Sequence, residues 1–410
     1  MTRSHLVLLA NAFPWGNWEP YLADEIPHLL SFDHVDLFAL SVRKTQAREI
    51  RGVSGENLTV HKIKYLPKWQ YALLGLLALV NADFYKELLR LVQQRELRLA
   101  RLIKILVFVS RANYEHRQIV KELKKRNVAA NGESLVIYSY RMEYQAYLAL
   151  LLKRSFPGAK IVLRGHRSDL YEELSPSGYI PFRPAAFEKA DLLVPISEHG
   201  KRYLLERFPH LQEKIELWRL GTPDYGTSVF EAEEKLRAFS CSTITPVKRL
   251  DRLIDALSRI ASMDVEWTHF GDGPLRSEIE TLAKEKLPET RICFTGNLKH
   301  EDLISELKTK PFDLIVNTSD SEGVPVSIME ALSLGIPAVA VDAGGNKEIV
   351  HDQVSGFLIT DWDDIQGIAN ALVKVKEAGP DLRVSARNFW EQHYQADKNY
   401  LRFVEMLRGL

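Results

Sequence analysis

The chain has 410 residues, more than one ordinary core holds, so two domains are expected. Hydrophobic residues make up 46% and charged residues 26%, and Lys+Arg and Asp+Glu both count 54. That balance supplies no overall field for nucleic acid, so no nucleic-acid partner is expected, and any membrane contact needs a local patch. In chain order, the opening MTRSHLVLLANAFP has too short an apolar stretch for a secretory signal and reads as a first strand, His5–Ala10. Val35–Leu40, Leu135–Ser139, Lys160–Arg164, Leu192–Ile196 and Ile215–Leu220 follow as strands of a first domain. Residues 66–127 lack a strand and read as a helical insertion packed on that sheet. Its apolar run Tyr71–Val80 is about half of the roughly 20 residues a membrane span needs, so a cytoplasmic protein is expected. Arg90, Arg95, Arg98, Arg101, Lys104 and Arg111 accompany leucines there, leaving open a peripheral contact with the inner face of the membrane beside the plainer reading of a helical hairpin with solvated cations.

The segment 221–234 loses apolar periodicity, which puts a boundary there: a first domain over 1–228, a second over 229–385 and a tail helix over 386–410. The second half repeats the alternation. Ala238–Ile244, Val265–Phe270, Arg291–Thr295, Leu314–Asn317 and Ala338–Val341 read as strands. Asp251–Ile260, Pro274–Lys286, Asp302–Lys308 and Val326–Leu334 read as the helices between them. Runs apolar throughout mean strands covered on both faces, hence two parallel, doubly wound α/β sheets. Cys241 and Cys293 fall inside such runs and read as small buried hydrophobes in a reducing compartment, without metal-ligand spacing.

The segment 319–350, SDSEGVPVSIMEALSLGIPAVAVDAGGNKEIV, carries the chemistry. A strand ends in a polar loop holding Glu322 and Gly323, and a helix starts near Pro325, where proline suits the first turn. Free N–H groups at such a start favour a phosphate or sugar oxygens. Glu330 is embedded among Ile328, Met329, Ala331 and Leu332, an unusual place for a merely solvated acid. Lys248 follows a strand and precedes a helix, where a cation can neutralise a leaving diphosphate; the plainer reading is a surface lysine beside Arg249. Gly271-Asp272-Gly273 lies between a strand and a helix, and FTGNL follows at 294–298.

Glu322-Gly-Val-Pro, Glu330-Ala-Leu, Gly335-Ile-Pro and Gly344-Gly345 together resemble glycosyltransferase family 4, a group of retaining GT-B enzymes. The resemblance implies two Rossmann-like domains facing across a cleft, with the nucleotide-sugar donor on the second and the acceptor on the first. It implies that Glu330 holds donor ribose hydroxyls, Glu322 contacts the transferred sugar and Lys248 the diphosphate. Arg249, Gly271, Asp272, Gly296, Asn297, Leu298, Gly323, Val324, Pro325 and Val326 would line the donor site. The arginine that usually precedes the lysine is missing, with Ser242 and Thr243 nearby, and Arg249 or a first-domain residue is left to compensate. In the first domain, FPWGNWE at 13–19 resembles the family's loop beside the donor phosphates, although only Gly16 is a glycine. His166, near Asp169, matches a histidine lining the sugar site, while Ser197 reads as a helix cap.

The expected function is a retaining transferase that uses a nucleoside-diphosphate sugar and a saccharide or lipid-linked saccharide acceptor, in surface polysaccharide synthesis. No cofactor and no metal are expected. The alternatives are a non-catalytic GT-B subunit binding a glycan or partner enzyme, or another GT-B enzyme such as a sugar-nucleotide epimerase.

Overall fold

The computed structural model describes residues 3–16, 19, 21–43, 52–128, 134–260, 262–288 and 290–410. The chain divides into two compact units, residues 1–218 with 400–410, and residues 219–399. In the first, β1 (Ser4–Ala10), β2 (His34–Val42), β3 (Leu58–Lys64), β4 (Ser134–Ser139), β5 (Lys160–Gly165) and β6 (Leu192–Pro195) form a parallel sheet in the order β3-β2-β1-β4-β5-β6. In the second, β7 (Leu236–Cys241), β8 (Val265–Phe270), β9 (Arg291–Gly296), β10 (Leu314–Asn317), β11 (Ala338–Val341) and β12 (Gly356–Ile359) run β12-β11-β10-β7-β8-β9. Read from its own first strand, this is the same doubly wound order, with the direction of winding reversing between β1 and β4 and between β7 and β10.

Side-chain alternation covers both faces of each sheet. In β1, Val7 and Leu9 join one buried cluster, with Leu135, Ile161 and the long helix Leu99–Lys125, while Leu6, Leu8 and Ala10 join another on the opposite face. In the second unit Val339 and Val341 enter one cluster and Ala338 and Ala340 the other. Every such residue stabilises its unit by roughly 25 cal/mol per Å² of apolar surface removed from water.

Two edge strands, β3 and β12, are absent from the sequence reading. β3 is LTVHKIK, with only Ile63 fully buried, so its pattern lacks the continuous apolar run that a central parallel strand shows. The expected strand Ile215–Leu220 makes a single bridge, Leu193 to Ile215, and otherwise runs irregularly. Cys293 is exposed, because β9 is also an edge strand whose side chains alternate outward; Cys241 is partly buried.

The division falls at Trp218/Arg219 rather than at 228/229. The intervening segment is irregular but fastened within the second unit. Thr222 N–H donates to the Tyr394 carbonyl at 2.9 Å, Ala396 N–H to Thr222 at 3.0 Å, and Ser228 N–H to Leu334 at 3.0 Å. The tail is also not one helix from 386. A helix over Ile365–His393 is kinked at Gly379 and Pro380, and a separate helix covers Ala396–Gly409. Residues 400–410 belong to the first unit, where the Phe403 ring lies 4.2 Å from the fully buried Arg164 guanidinium, itself paired with the buried Glu25.

The residues read as an insertion form helices Lys68–Gly75, Ala82–Gln93 and Leu99–Lys125, joined in part by a 3-10 turn at Leu76–Val80. Of the six cations named above, four are held by partners: Arg90 pairs with Glu87, Arg101 with Glu96, Lys104 donates to the Tyr179 carbonyl at 2.8 Å and Arg111 to Ser41, while Arg95 and Arg98 are exposed.

Candidate functional site

The second unit gathers its polar residues at the C-terminal ends of β7 and β10, where the winding reverses and open α/β sheets bind ligands. The loop after β7 makes a 3-10 turn, Pro246–Lys248, and Arg249 takes a left-handed conformation, φ 48°, before the helix Leu250–Arg259. The loop after β10 is sewn to it. Thr318 Oγ1 donates to the Arg249 carbonyl at 2.9 Å, and Asp320 N–H donates to Val247 at 2.8 Å. This brings Lys248 Nζ to 2.7 Å from Glu322 Oε1, which also accepts from Asn317 Nδ2 at 3.2 Å. Lys248 and Glu322 keep part of their surface in solvent, so the pair sits at an accessible edge rather than in the core.

The helix Val326–Ser333 starts beside this pair in sequence, after Gly323, Val324 and Pro325, with no side-chain cap at its N-terminus. Uncapped N–H groups and the helix dipole present a site for anionic oxygens. Glu330, on the same helix, is nearly buried and accepts from His300 Nε2 at 2.7 Å. His300 opens the helix His300–Thr309, immediately after the exposed Asn297 and Leu298, and its own side chain is mostly exposed. Asp272 and Gly296 meet nearby: Arg276 pairs with Asp272 at 3.2 Å, and Gly271 N–H donates to the Gly296 carbonyl at 3.0 Å.

Close backbone approach explains the glycines here. A Cβ on Gly345 would fall on the Gly323 carbonyl, with the Gly323 carbonyl carbon 2.6 Å away, and one on Gly344, at φ 59°, would fall on the Glu322 carbonyl. The Gly344-Gly345 turn therefore backs the loop that carries Glu322.

Arg249 is turned elsewhere. Its guanidinium is held by Asp251 at 2.8 Å, with Asp320 at 3.5 Å, so much of its charge is already matched. The nearly buried Arg252 pairs with Asp320 and braces the two loops. Sequence reasoning missed Arg252, Asn317, Thr318 and His300. Only Arg252 left a signal, a cation on the buried face of a strongly amphipathic helix.

Under these loops, His269 Nε2 donates to the Ser242 carbonyl at 3.1 Å, and its Nδ1 meets Ser240 Oγ at 2.8 Å, which also accepts from Trp267 Nε1 at 2.9 Å. Burial pushes its pKa down to about 4. A base held neutral in the fold but free to protonate when unfolded contributes stability that is full above about pH 6.5 and lost as pH falls towards 4, here about 3 kcal/mol at most. Urea titrations at pH 7 and pH 5 check this: the acid loss should be smaller in His269→Gln than in the parent, and equal losses would show that His269 contributes none of it.

In the first unit, Gly16 (φ 67°) and His166 lie in the loops after β1 and β5. The N–H groups of Asn11, Ala12 and Phe13 donate to the buried Glu19 carboxylate, so that loop already encloses an anion of its own. Asn17 and Trp18 lie outside the described residues. His166 is almost buried, and neither ring nitrogen has a hydrogen-bond partner among the described residues. Burial, with Arg141 and Arg164 nearby, holds it neutral. Asp169 lies 3.9 Å from Nδ1, and its Oδ2 accepts from the His166 backbone N–H at 3.3 Å and from Met142 N–H at 2.8 Å, while it also pairs with Arg141. Ser197 caps its helix, accepting from Gly200 N–H at 3.0 Å.

Residues 227–391 match the model of the glycosyl transferases group 1 family. The second unit thus carries a glycosyltransferase domain, and both glutamates, Lys248 and the glycine turn lie inside the match. The amylovoran biosynthesis glycosyltransferase AmsK of Erwinia amylovora is 26% identical over 239 residues, 55% of this chain and 58% of that protein. The chain spans rather more than half the length of the curated relatives it matches. Among solved structures, the lipopolysaccharide outer core galactosyltransferase WaaB superposes with a TM-score of 0.68 at 14% identity, covering 98% of each chain. Anabaena HepE in complex with UDP and glucose does so with a TM-score of 0.64 at 19% identity, covering 100% of each. These likenesses identify the fold as GT-B, two Rossmann-like units.

Proposed function

We propose that the protein moves a glycosyl group from a nucleoside-diphosphate sugar to a saccharide or lipid-linked saccharide, with retention of configuration, in surface polysaccharide synthesis. The observation that carries this reading is the Lys248–Glu322 pair at the winding reversal of the matched domain, next in sequence to an uncapped helix start. The names of the relatives, which include glycosyltransferases of amylovoran and colanic acid biosynthesis, support the pathway class. In the reaction, the bond from the sugar C1 to the diphosphate oxygen breaks. The acceptor hydroxyl oxygen bonds C1 on the same face, and its proton passes to the departing diphosphate. Lys248 and the helix N–H groups stabilise the charge that develops there. That role needs no divalent ion. Glu330 holds the ribose hydroxyls after exchanging His300 for them, and Glu322 the hydroxyls of the sugar.

A thermal-shift screen of nucleotide sugars followed by calorimetry tests the reading. One donor should raise the melting temperature by mass action. Glu330→Ala should weaken the bare nucleoside diphosphate by about 1.5–3 kcal/mol, the worth of hydrogen bonds to a charged group. Glu322→Ala should keep that affinity and lose turnover. Equal, unchanged affinity in both variants would remove these roles, and donor binding without turnover in the parent would favour a non-catalytic subunit.

A cytoplasmic location with peripheral membrane contact is part of the same proposal. No helix among the described residues is long and apolar enough to cross a membrane. Trp69, Leu73, Leu76, Val80 and Leu99 are exposed on the helices between β3 and β4, whereas Arg90, Arg101, Lys104 and Arg111 are held by partners, leaving Lys86, Arg95 and Arg98 as the exposed cations between residues 69 and 111. Binding should therefore rest on apolar insertion more than on charge. Flotation with anionic vesicles should persist from low to moderate salt; no flotation even at low salt would leave a purely soluble encounter.

A further inference from the structure

The loops after β1, β4 and β5 line a polar pocket of about 310 Å³ at the winding reversal of the first sheet. Open α/β sheets bind ligands at such a place. Asn11, Ser168 and Glu143 bring polar groups to its wall, Tyr65 an aromatic ring, and Arg43, Arg111 and Arg141 three cations. Ser168 follows closely on His166, so the pocket adjoins the loop that carries that histidine.

The charges in this wall are not equally satisfied. Arg141 lies 3.3 Å from both Glu19 and Asp169, and Arg111 pairs with Glu115 at 3.5 Å. Glu143 is different. It stands at the N-cap position of the helix Tyr144–Ser155 without capping it, and its carboxylate has no hydrogen bond or ion pair among the described residues. Lys104 and Arg183 feel its charge, but Lys104 donates to the Tyr179 carbonyl at 2.8 Å and Arg183 to the Leu170 carbonyl at 2.6 Å. Glu143 is half-buried, and a partly dehydrated carboxylate without a partner favours a ligand that donates hydrogen bonds to it.

These charges narrow the occupant. An anion is repelled by Glu143, and Arg111 and Arg141, which could attract it, are already matched. A cation meets three guanidiniums in the same wall. An uncharged donor of several hydrogen bonds remains. A sugar ring is such a ligand: its edge carries hydroxyls for Glu143, Asn11 and Ser168, and its C–H face packs on an aromatic ring, here Tyr65. The volume is small for a ligand pocket, room for one ring rather than several.

We propose that this pocket takes one uncharged sugar ring of the acceptor, with Glu143 accepting hydrogen bonds from its hydroxyl groups and so setting the charge class of the acceptor. The inference deepens the acceptor half of the proposed function and rests on it.

The test uses the full chain and ligand-observed NMR titrations with methyl glucoside, galactoside and mannoside, each beside its uronic acid and its 2-amino sugar. One neutral ring should bind at least about tenfold tighter than its charged counterparts. Glu143→Gln should weaken that ring by about tenfold or more, the worth of hydrogen bonds to a charged group, and bring the neutral ring and the uronic acid towards equal affinity. Its melting temperature should match the parent's, because the carboxylate has no partner to lose, and its nucleoside-diphosphate affinity should be unchanged. Tighter binding of a uronic acid or an amino sugar, binding of no ring in the panel, or affinities indifferent to Glu143→Gln overturns the proposal. Failure of the transferase reading shows separately, as absent nucleotide-sugar binding in a protein that still takes the neutral ring.

Discussion

Lys248→Ala should lower turnover on the order of 10²-fold or more while leaving the melting temperature close to that of the parent. The two halves of this expectation have different causes. The Lys248–Glu322 pair is partly solvated, and such pairs contribute roughly 0–1 kcal/mol to stability, so its loss is tolerated by the fold. Asn317 still holds Glu322 in place. In the proposed reaction the same ammonium would meet a diphosphate whose charge grows as the glycosidic bond breaks, and the two neighbouring arginines of its loop and helix are already paired. Arg249 is committed to Asp251, and Arg252 to Asp320. Single-turnover rates at saturating donor measure the effect. A variant that transfers sugar at the parental rate would show that Lys248 takes no part in the reaction.

Gly345→Ala should cost roughly 1–3 kcal/mol of stability, as overpacking does, and should also reduce turnover on the order of 10²-fold, because the loop carrying Glu322 is displaced. The added methyl would occupy the place of the Gly323 carbonyl, and backbone, unlike the end of a flexible side chain, cannot swing aside. Gly158→Ala is the control: nothing lies within 4 Å of its Cβ position, and it should be close to neutral. Urea midpoints and initial rates of the two variants check both parts. Parental activity in Gly345→Ala would mean that the loop's position is unimportant to the reaction.

The central strands were legible because burial on both faces leaves continuous apolar runs such as LVLLA in β1 and AVAV in β11. The edge strands β3 and β12 were not. In β3, LTVHKIK mixes charges with apolar residues because only part of it is covered, and β12, GFLI, is only four residues long, too short a run to stand out from a loop. The division between the units escaped for a related reason. Residues 219–228 look like a linker, but they are held by backbone groups of residues more than a hundred positions away, such as Leu334 and Tyr394, and backbone hydrogen bonds leave no trace in side-chain pattern. Within the candidate site, the loop motif, both glutamates and Lys248 were expected from residue type, position and the family resemblance. Their partners were not, since Asn317, Thr318 and His300 are common polar residues with no periodicity of their own.

What the amino-acid sequence determined by itself is therefore the local part of the problem: two doubly wound α/β halves, the helix start after Pro325 and the acids and the lysine placed around it. These follow from hydrophobic periodicity and turn chemistry, which act over a few residues. The tertiary structure alone decided the rest. It brought Lys248 against Glu322 across 74 positions of chain, matched Arg249 to Asp251, packed the His166 ring against Tyr140, and set Arg111 in the wall of an apolar groove. Contacts of that kind depend on which loops the winding of the sheet brings side by side, and the winding is settled by packing of the whole unit rather than by any segment of it.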